Sequence, residues 1–527
     1  MVSVQEGRFF SKSLQQVVAT FVAICSLVLL RFLAFCSIPI TTDEAFTWRV
    51  IQYGWGDMVG RIAEDGHAPL YFILLKVYSL FAGSSLISLR LFSVLSYSLA
   101  TTAHFGALQA ALHVEGSSGK PYEYRAERLL LMVLLMFNPL QGFVAGNARM
   151  YALGLLFVSL STWAILRALY TSGRNATLLW IAWGISTGMG MLTHHFVGFT
   201  AAGQTLAAFW IIQVSRGPAK HKLSQIASLI VGCLMAIVVY SPWLSIIRDQ
   251  FSEVTQQFWI GPLAFNEVVG VLSSWLTGTP PGDWKAPLAI LSIFLALCCF
   301  ANGFRRRPLA TVPFACQALL PWVLCLAISL TSGRPLLQDR YLVFGQASAF
   351  TAICLGWSEL RSVEWRIATS YLLVGGHFMG LVSGSSPYHL KEDGFAQCVE
   401  AVLVHDDGNT SKTIFLRCAA DVNRTRYFLD QAQRNDFHVK LLASPFRIGH
   451  VGHIAALDTE EIYWSPFHDL PELTTGAWVI YDEPGNSALG SLGGVETVAE
   501  FEIATTNSNA GKAILVRKTR QCVVPIP

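Results

Sequence analysis

Apolar and polar positions alternate along this chain in long blocks. Mostly apolar runs recur at 16–37, 87–112, 128–146, 150–170, 178–197, 199–214, 224–247, 286–302, 311–331, 341–357 and 366–384. About 20 such residues are needed to cross a bilayer as an α-helix. The pattern therefore predicts a polytopic α-helical membrane protein with about 11 transmembrane helices. One further apolar stretch, 67–83, is short and carries Lys76. Counting it as a crossing would reverse every later loop, so it is read as a helix lying against the membrane. The amphipathic pieces "AFTWRVIQYGW" and "GDMVGRIAED" before it fit the same description.

Past residue 384 the period changes. "KTIFLRCA", "HVKLLAS", "AWVIYDE", "VAEFEIA" and "KAILVRK" alternate as strands do, while "NRTRYFLDQAQRN" has helical spacing. The expected organisation is a transmembrane domain over 1–384, with a long first external loop at 38–86, and a small α/β domain over 385–527.

Charge orients these blocks. Arg8 and Lys12, "GKPYEYRAER", "TSGRN", "SRGPAKHK", "FRRRP" and "ELRSVEWR" are basic and belong in the cytoplasm by the positive-inside rule. "NARMY", "THHF", 248–285 and "TSGRPLLQDR" then lie on the far side. This places the N-terminus in the cytoplasm and the C-terminal domain outside a multi-pass cell (inner) membrane protein. The first apolar run is longer than a signal-peptide core and lacks a clear small-x-small cleavage site, so it is read as a retained span.

Composition narrows the function. Hydrophobic residues make up 53% of the chain and charged ones 13%, against about 25% charged in soluble domains. A net charge of +3 is too small and too dispersed to suggest nucleic acid. There is no GxGxxG after a strand and no P-loop, which argues against a nucleotide-binding fold. The 11 cysteines show no CxxC and no zinc-like spacing, and the His194-His195 and His450-x-x-His453 pairs are too few for a metal set, so no cofactor is expected. A disulfide among Cys398, Cys418 and Cys522 stays open. "NAT", "NTS" and "NRT" at 175, 409 and 423 match glycosylation acceptors.

The candidate chemistry gathers on the external face. Asp43 and Glu44 follow the first span; they either cap the next helix together with Thr42 or supply a base. His67 precedes Pro69 at a helix start, where a donor suits an anion. Arg149 and Tyr151 in "NARMY", and Arg340 and Tyr341 in "QDRYL", stand at external helix starts. Arginine there either snorkels to headgroups or pairs with phosphate, and Asp339 offers Arg340 a neutralising partner. His194 and His195 sit at another external turn as possible substrate-lining residues. Carboxylates, cations and aromatics on one face suit a phosphate-bearing lipid substrate and a nucleophile to be activated. A lipid-linked-sugar flippase or other transporter is the alternative, though such proteins favour mid-bilayer charges and inverted repeats, and none is evident.

"TTDEAFTW", "DGHAPLYFILLKVYSLFAGSSLISLRLFSVL", "NPLQGFVAGNARMYALGLLFVSLSTWAILRAL", "THHF" and "DRYLVF" together resemble the GT-C membrane glycosyltransferases. The nearest group is the protein-mannosyltransferase and aminoarabinose-transferase-like family with its bacterial polysaccharide-modifying relatives. The resemblance covers roughly residues 15–360. It implies inverting transfer of a sugar from a polyprenyl-phosphate donor to a lipid, glycan or protein hydroxyl. It maps the first-loop carboxylate of the family onto Asp43, with Glu44 beside it, and the donor-phosphate residue onto His67. The family often has two prolines where this chain has Ala68-Pro69, and an acidic residue where it has Asn147.

Overall fold

The structure, a computed structural model, describes residues 20–33, 38–115, 125–254, 263–278, 285–332 and 336–382. Beyond these it describes 395–404, 406, 412–416, 419–443, 456–458, 460, 462–464, 478–482, 495–503 and 511–518. The chain divides into two compact units. One draws on 1–36, 67–249 and 260–389, the other on 37–66, 250–259 and 390–527. The short helices that follow the first apolar run thus belong to one unit with the C-terminal segment.

The helices run in chain order as α1 (Thr20–Leu33), α2 (Thr42–Gln52), α3 (Trp55–Asp65), α4 (Leu70–Ala82), α5 (Leu86–Val114), α6 (Arg125–Phe137) and α7 (Pro139–Gly146). Then come α8 (Tyr151–Leu169), α9 (Gly173–Thr193), α10 (Val197–Val214), α11 (Ala219–Tyr240), α12 (Leu244–Val254) and α13 (Phe265–Thr277). The membrane part closes with α14 (Lys285–Arg306), α15 (Pro308–Ser332), α16 (Asp339–Ser358) and α17 (Val363–Val382).

Among the described residues, six helices are long and apolar enough to cross a membrane, or seven if a bent pair counts as one. They are α5, α8, α9, α10, α11 with its continuation to Gln250, and α15; the bent pair is α6 and α7. α1 and α4 are shorter apolar helices. α14, α16 and α17, also expected as spans, are not among the six. Much of 248–285 is helical rather than loop: Trp275 in α13 is buried, and its indole N–H donates to the Leu342 carbonyl at 3.0 Å.

The bend of 71° between α6 and α7 has a local cause. Asn138 accepts the Gln141 N–H at 3.0 Å, and Pro139 opens α7 where its missing N–H costs nothing. At the break Arg31 donates to the Met136 carbonyl and, at 3.0 Å, to that of Asn138, which also accepts the Gly142 N–H at 3.1 Å. In hydrocarbon such groups must be satisfied within the protein. Close approach of α9 and α11 rests on small residues: a Cβ on Gly184 would sit 2.3 Å from the Gly232 carbonyl oxygen, and one on Gly188 2.8 Å from that of Ala236. Polar groups in the interior are bonded across helices. Gln204 donates to Ser161 at 2.8 Å and accepts the Trp183 indole N–H at 2.8 Å.

In the second unit, α18 (Phe395–Val404) leads into β1 (Thr413–Leu416), α19 (Ala419–Gln431), β2 (His438–Ala443), β3 (Ile462–Trp464), β4 (Trp478–Asp482), β5 (Val495–Ile503) and β6 (Gly511–Lys518). The sheet order is β3-β2-β1-β4-β6-β5. The first four strands are parallel, and β6 pairs antiparallel with β4 and β5. All five strand-like segments read from the sequence are strands; the three-residue β3 is too short to show a period. Phe395, Cys398, Val399 and Val402 form the buried stripe of α18 and meet Ile414, Leu416, Val439 and Trp478. Cys418 and Cys522 lie outside the described residues, as do His450 and His453. Asn423 of the "NRT" sequence is fully buried inside α19, so it cannot serve as a surface glycosylation acceptor. "NTS" at 409 also lies outside the described residues.

α2 and α3 are clipped to this unit. The Tyr53 hydroxyl donates to the Ala456 carbonyl at 2.8 Å, and Arg61 donates to the Leu457 carbonyl at 2.8 Å. Asp458 receives Arg49 at 3.0 Å and Arg61 at 2.7 Å. Trp48 meets Tyr427 of α19 edge to face, with ring centroids 5.3 Å apart.

Candidate functional site

The residues singled out in the sequence fall in both units. Asp43 and Glu44 occupy the first turn of α2, a favourable place for carboxylates beside the exposed N–H groups of a helix. The cap is Thr41, not Thr42 with Asp43. Thr41 Oγ1 accepts the Glu44 N–H at 3.2 Å, and Glu44 Oε2 accepts the Thr41 N–H at 3.0 Å, closing a capping box. Glu44 is fully buried in this role, whereas Asp43 is half-buried, and its backbone carbonyl accepts the Thr47 hydroxyl at 3.1 Å.

In the other unit the singled-out residues all sit at helix junctions. His67 lies just before α4, with Pro69 as the residue that caps it. Arg149 lies between α7 and α8, and Tyr151 opens α8. His194 and His195 form the break between α9 and α10. Arg340 and Tyr341 begin α16. Helix ends are where backbone groups lack intrahelical partners and side chains of different helices converge.

Arg149 is buried, and its Nη2 lies 2.6 Å from His67 Nε2. An arginine only donates, so Arg149 is the donor of this contact. Around His194 stand Tyr151, Tyr341, Phe196 and Phe344, with ring centroids 5.5, 6.0, 5.6 and 5.0 Å away. Phe196 stacks on Tyr341 at 4.6 Å, and the Arg340 guanidinium lies 5.5 Å from the Tyr341 ring centre. A Cβ on Gly154 would come within 2.5 Å of the Phe344 ring, so the glycine makes room for that wall.

Burial, and then the positive charge of His195, His67, Arg149 and Arg340, push the His194 pKa well below its ordinary value. His194 is therefore a neutral imidazole at working pH. Its Nδ1 accepts the Phe196 N–H at 3.3 Å, which leaves Nε2–H as the donor. Asp339 accepts from Ser274 at 2.9 Å and from the Arg340 backbone N–H at 2.8 Å.

The structure thus brings His67 and Arg149 into one hydrogen bond, and Tyr151, His194 and Tyr341 into one aromatic cluster. Sequence reading missed Tyr240, whose hydroxyl lies 2.9 Å from His195 Nδ1. A tyrosine closing an apolar run before Ser241-Pro242 was the available signal. Chemically, the arrangement offers cationic and neutral N–H donors beside aromatic faces, a set suited to a phosphate carrying an apolar or sugar substituent.

No protein-family model matches the sequence, and no curated protein matches it. Solved structures do match the fold. ArnT from Cupriavidus metallidurans in the apo state superimposes with a TM-score of 0.63 at 12% identity, covering 95% of this chain and 98% of that one. The same protein bound to undecaprenyl phosphate gives 0.59 at 13% identity, over 96% and 98%. Over nearly its whole length, this chain has a fold similar to that of ArnT.

Proposed function

We propose that this protein is an inverting glycosyltransferase that moves a sugar from a polyprenyl-phosphate donor to an acceptor hydroxyl on a lipid, glycan or protein outside the cell membrane. The observation that carries the reading is the buried Arg149–His67 pair, with Arg340 and His195 adding positive charge around His194. A chain dissolved in lipid has few reasons to gather such charge where helices meet unless an anion is to be held there. The ArnT fold supports it, since that protein is seen with undecaprenyl phosphate.

In this reading Asp43 takes the proton of the acceptor hydroxyl as its oxygen attacks the anomeric carbon. The bond from that carbon to the phosphate oxygen breaks, and its electron pair leaves with the polyprenyl phosphate. Arg149, His67, Arg340, Tyr151 and Tyr341 stabilise the charge gathering on that phosphate. Glu44, committed to the capping box, holds the helix that carries Asp43. The C-terminal unit lies on the outer side with the acceptor, and the N-terminus in the cytoplasm.

Asp43→Asn tests the base. Sugar transfer by the purified protein should fall by about 10²–10⁴-fold, while undecaprenyl phosphate still binds. Wild-type transfer rates in Asp43→Asn would remove the base assignment. Loss of lipid binding as well would make Asp43 a structural residue.

A further inference from the structure

Asn147 stands apart from the other buried amides. It is 1% exposed, yet among the described residues neither its Oδ1 nor its Nδ2 has a hydrogen-bond partner. Its backbone is fully used: the N–H donates to the Phe143 carbonyl at 2.9 Å, and the carbonyl accepts the Arg149 N–H at 2.7 Å. Elsewhere in the same unit, amides find partners in the fold. Asn138 accepts from Gln141 at 3.0 Å and lies 3.2 Å from His377 Nδ1, and Gln204 bonds to Ser161 and Trp183. A carboxamide offers two donors and an acceptor, and burying it unpaired is unfavourable. A position that keeps such a group without a protein partner is one that a ligand completes.

Asn147 also opens the four-residue turn 147–150, which carries Arg149 and leads into Tyr151 at the start of α8. We propose that the Asn147 carboxamide reads the transferred sugar, hydrogen-bonding its neutral hydroxyl groups. It thereby sets a preference for uncharged sugars over those bearing an ammonium or carboxylate group at that place. The inference rests on the glycosyltransferase reading. A hydroxyl can both receive the amide N–H and donate to the amide oxygen. An ammonium can engage only the amide oxygen and a carboxylate only the N–H donors, and either brings into a buried place a charge that the neutral amide does not offset. Both amide atoms are out of contact with solvent, so the sugar reaches them as the turn adjusts to the bound donor.

The test uses the full-length protein in lipid nanodiscs with three polyprenyl-phosphate donors: a neutral hexose, an amino sugar and a uronic acid. Wild type should favour the neutral donor at least about tenfold in kcat/KM, since one hydrogen-bonded group carries discrimination of this order or more. Asn147→Leu should lose about 10–100-fold on the neutral donor, with the Kd for undecaprenyl phosphate unchanged. Asn147→Asp should shift the preference toward the amino sugar. A wild type indifferent to sugar charge overturns the assignment without needing any variant. So does an Asn147→Leu protein that is as active as wild type, or one that weakens undecaprenyl phosphate and the sugar donor equally. A wild type that transfers no sugar and binds no undecaprenyl phosphate removes the glycosyltransferase reading, and this assignment with it.

Discussion

Two regions of this molecule are rich in arginine, and they use it differently. In the second unit, Arg49 and Arg61 converge on one carboxylate, Asp458, with Arg61 lying 3.8 Å from the Tyr53 ring centre. Two arginines share one acid there, and the pairs tie α2 and α3 to residues 456–458. In the first unit, Arg149 bonds the imidazole of His67, and four positively chargeable residues bear on the buried ring of His194. Arginines bonded to an acid and to backbone carbonyls are the signature of a clip. Positive charge beside the ring of His194 favours its neutral form, and an anion brought there would weaken that effect. A count of arginines at helix ends would not separate the two; the partners do.

The sharpest way to break this contrast is to remove one arginine of the cluster and the acid of the clip. Arg149→Ala should lower kcat/KM with a polyprenyl-phosphate donor by about 10²–10³-fold, the usual cost of losing a donor to developing charge. Asp458→Ala should cost less than about tenfold in the same assay. Equal losses would mean that both arginine groups are structural, or both catalytic.

A smaller effect concerns stability. The Asp458 side chain is 45% exposed, so solvent screens its pairs, and each contributes at most about 1 kcal/mol. Asp458→Ala should lower the thermal unfolding midpoint by a few degrees, with undecaprenyl phosphate affinity unchanged. A large drop would show that the hydrogen bonds from Tyr53 and Arg61 to the 456–457 carbonyls fail together with the ion pairs.

The smallest effect is a pH dependence. The pKa of His194 in the folded protein lies well below its ordinary value of 6.5, so the folded state binds fewer protons than the unfolded one. The sign follows: stability is full above the unfolded pKa and is lost as pH falls below it. The unfolding midpoint should drop between about pH 7.5 and about pH 5.5, and His194→Gln should drop less. Added undecaprenyl phosphate should shrink the wild-type loss, because the anion offsets the positive charge around the ring.

Period and residue type were legible in the chain alone. Blocks of apolar residues announce membrane helices because hydrocarbon imposes the same requirement on every span. Alternation past residue 384 announces strands because successive side chains face opposite sides of a sheet. The residue types of the candidate site could be singled out too, since arginine, histidine and tyrosine at the ends of apolar runs are costly to keep without a use. What the sequence could not decide was company. That Thr41 rather than Thr42 caps α2 depends on where the helix begins, a boundary that a run of polar residues does not mark. That α2 packs with α19 depends on shape complementarity between segments nearly 400 residues apart. Tyr240 beside His195, and an asparagine left without partners, are likewise properties of neighbours brought together by folding. Local pattern is set by each residue's own transfer energy. The site is set by which surfaces fit, and only the tertiary structure decides that.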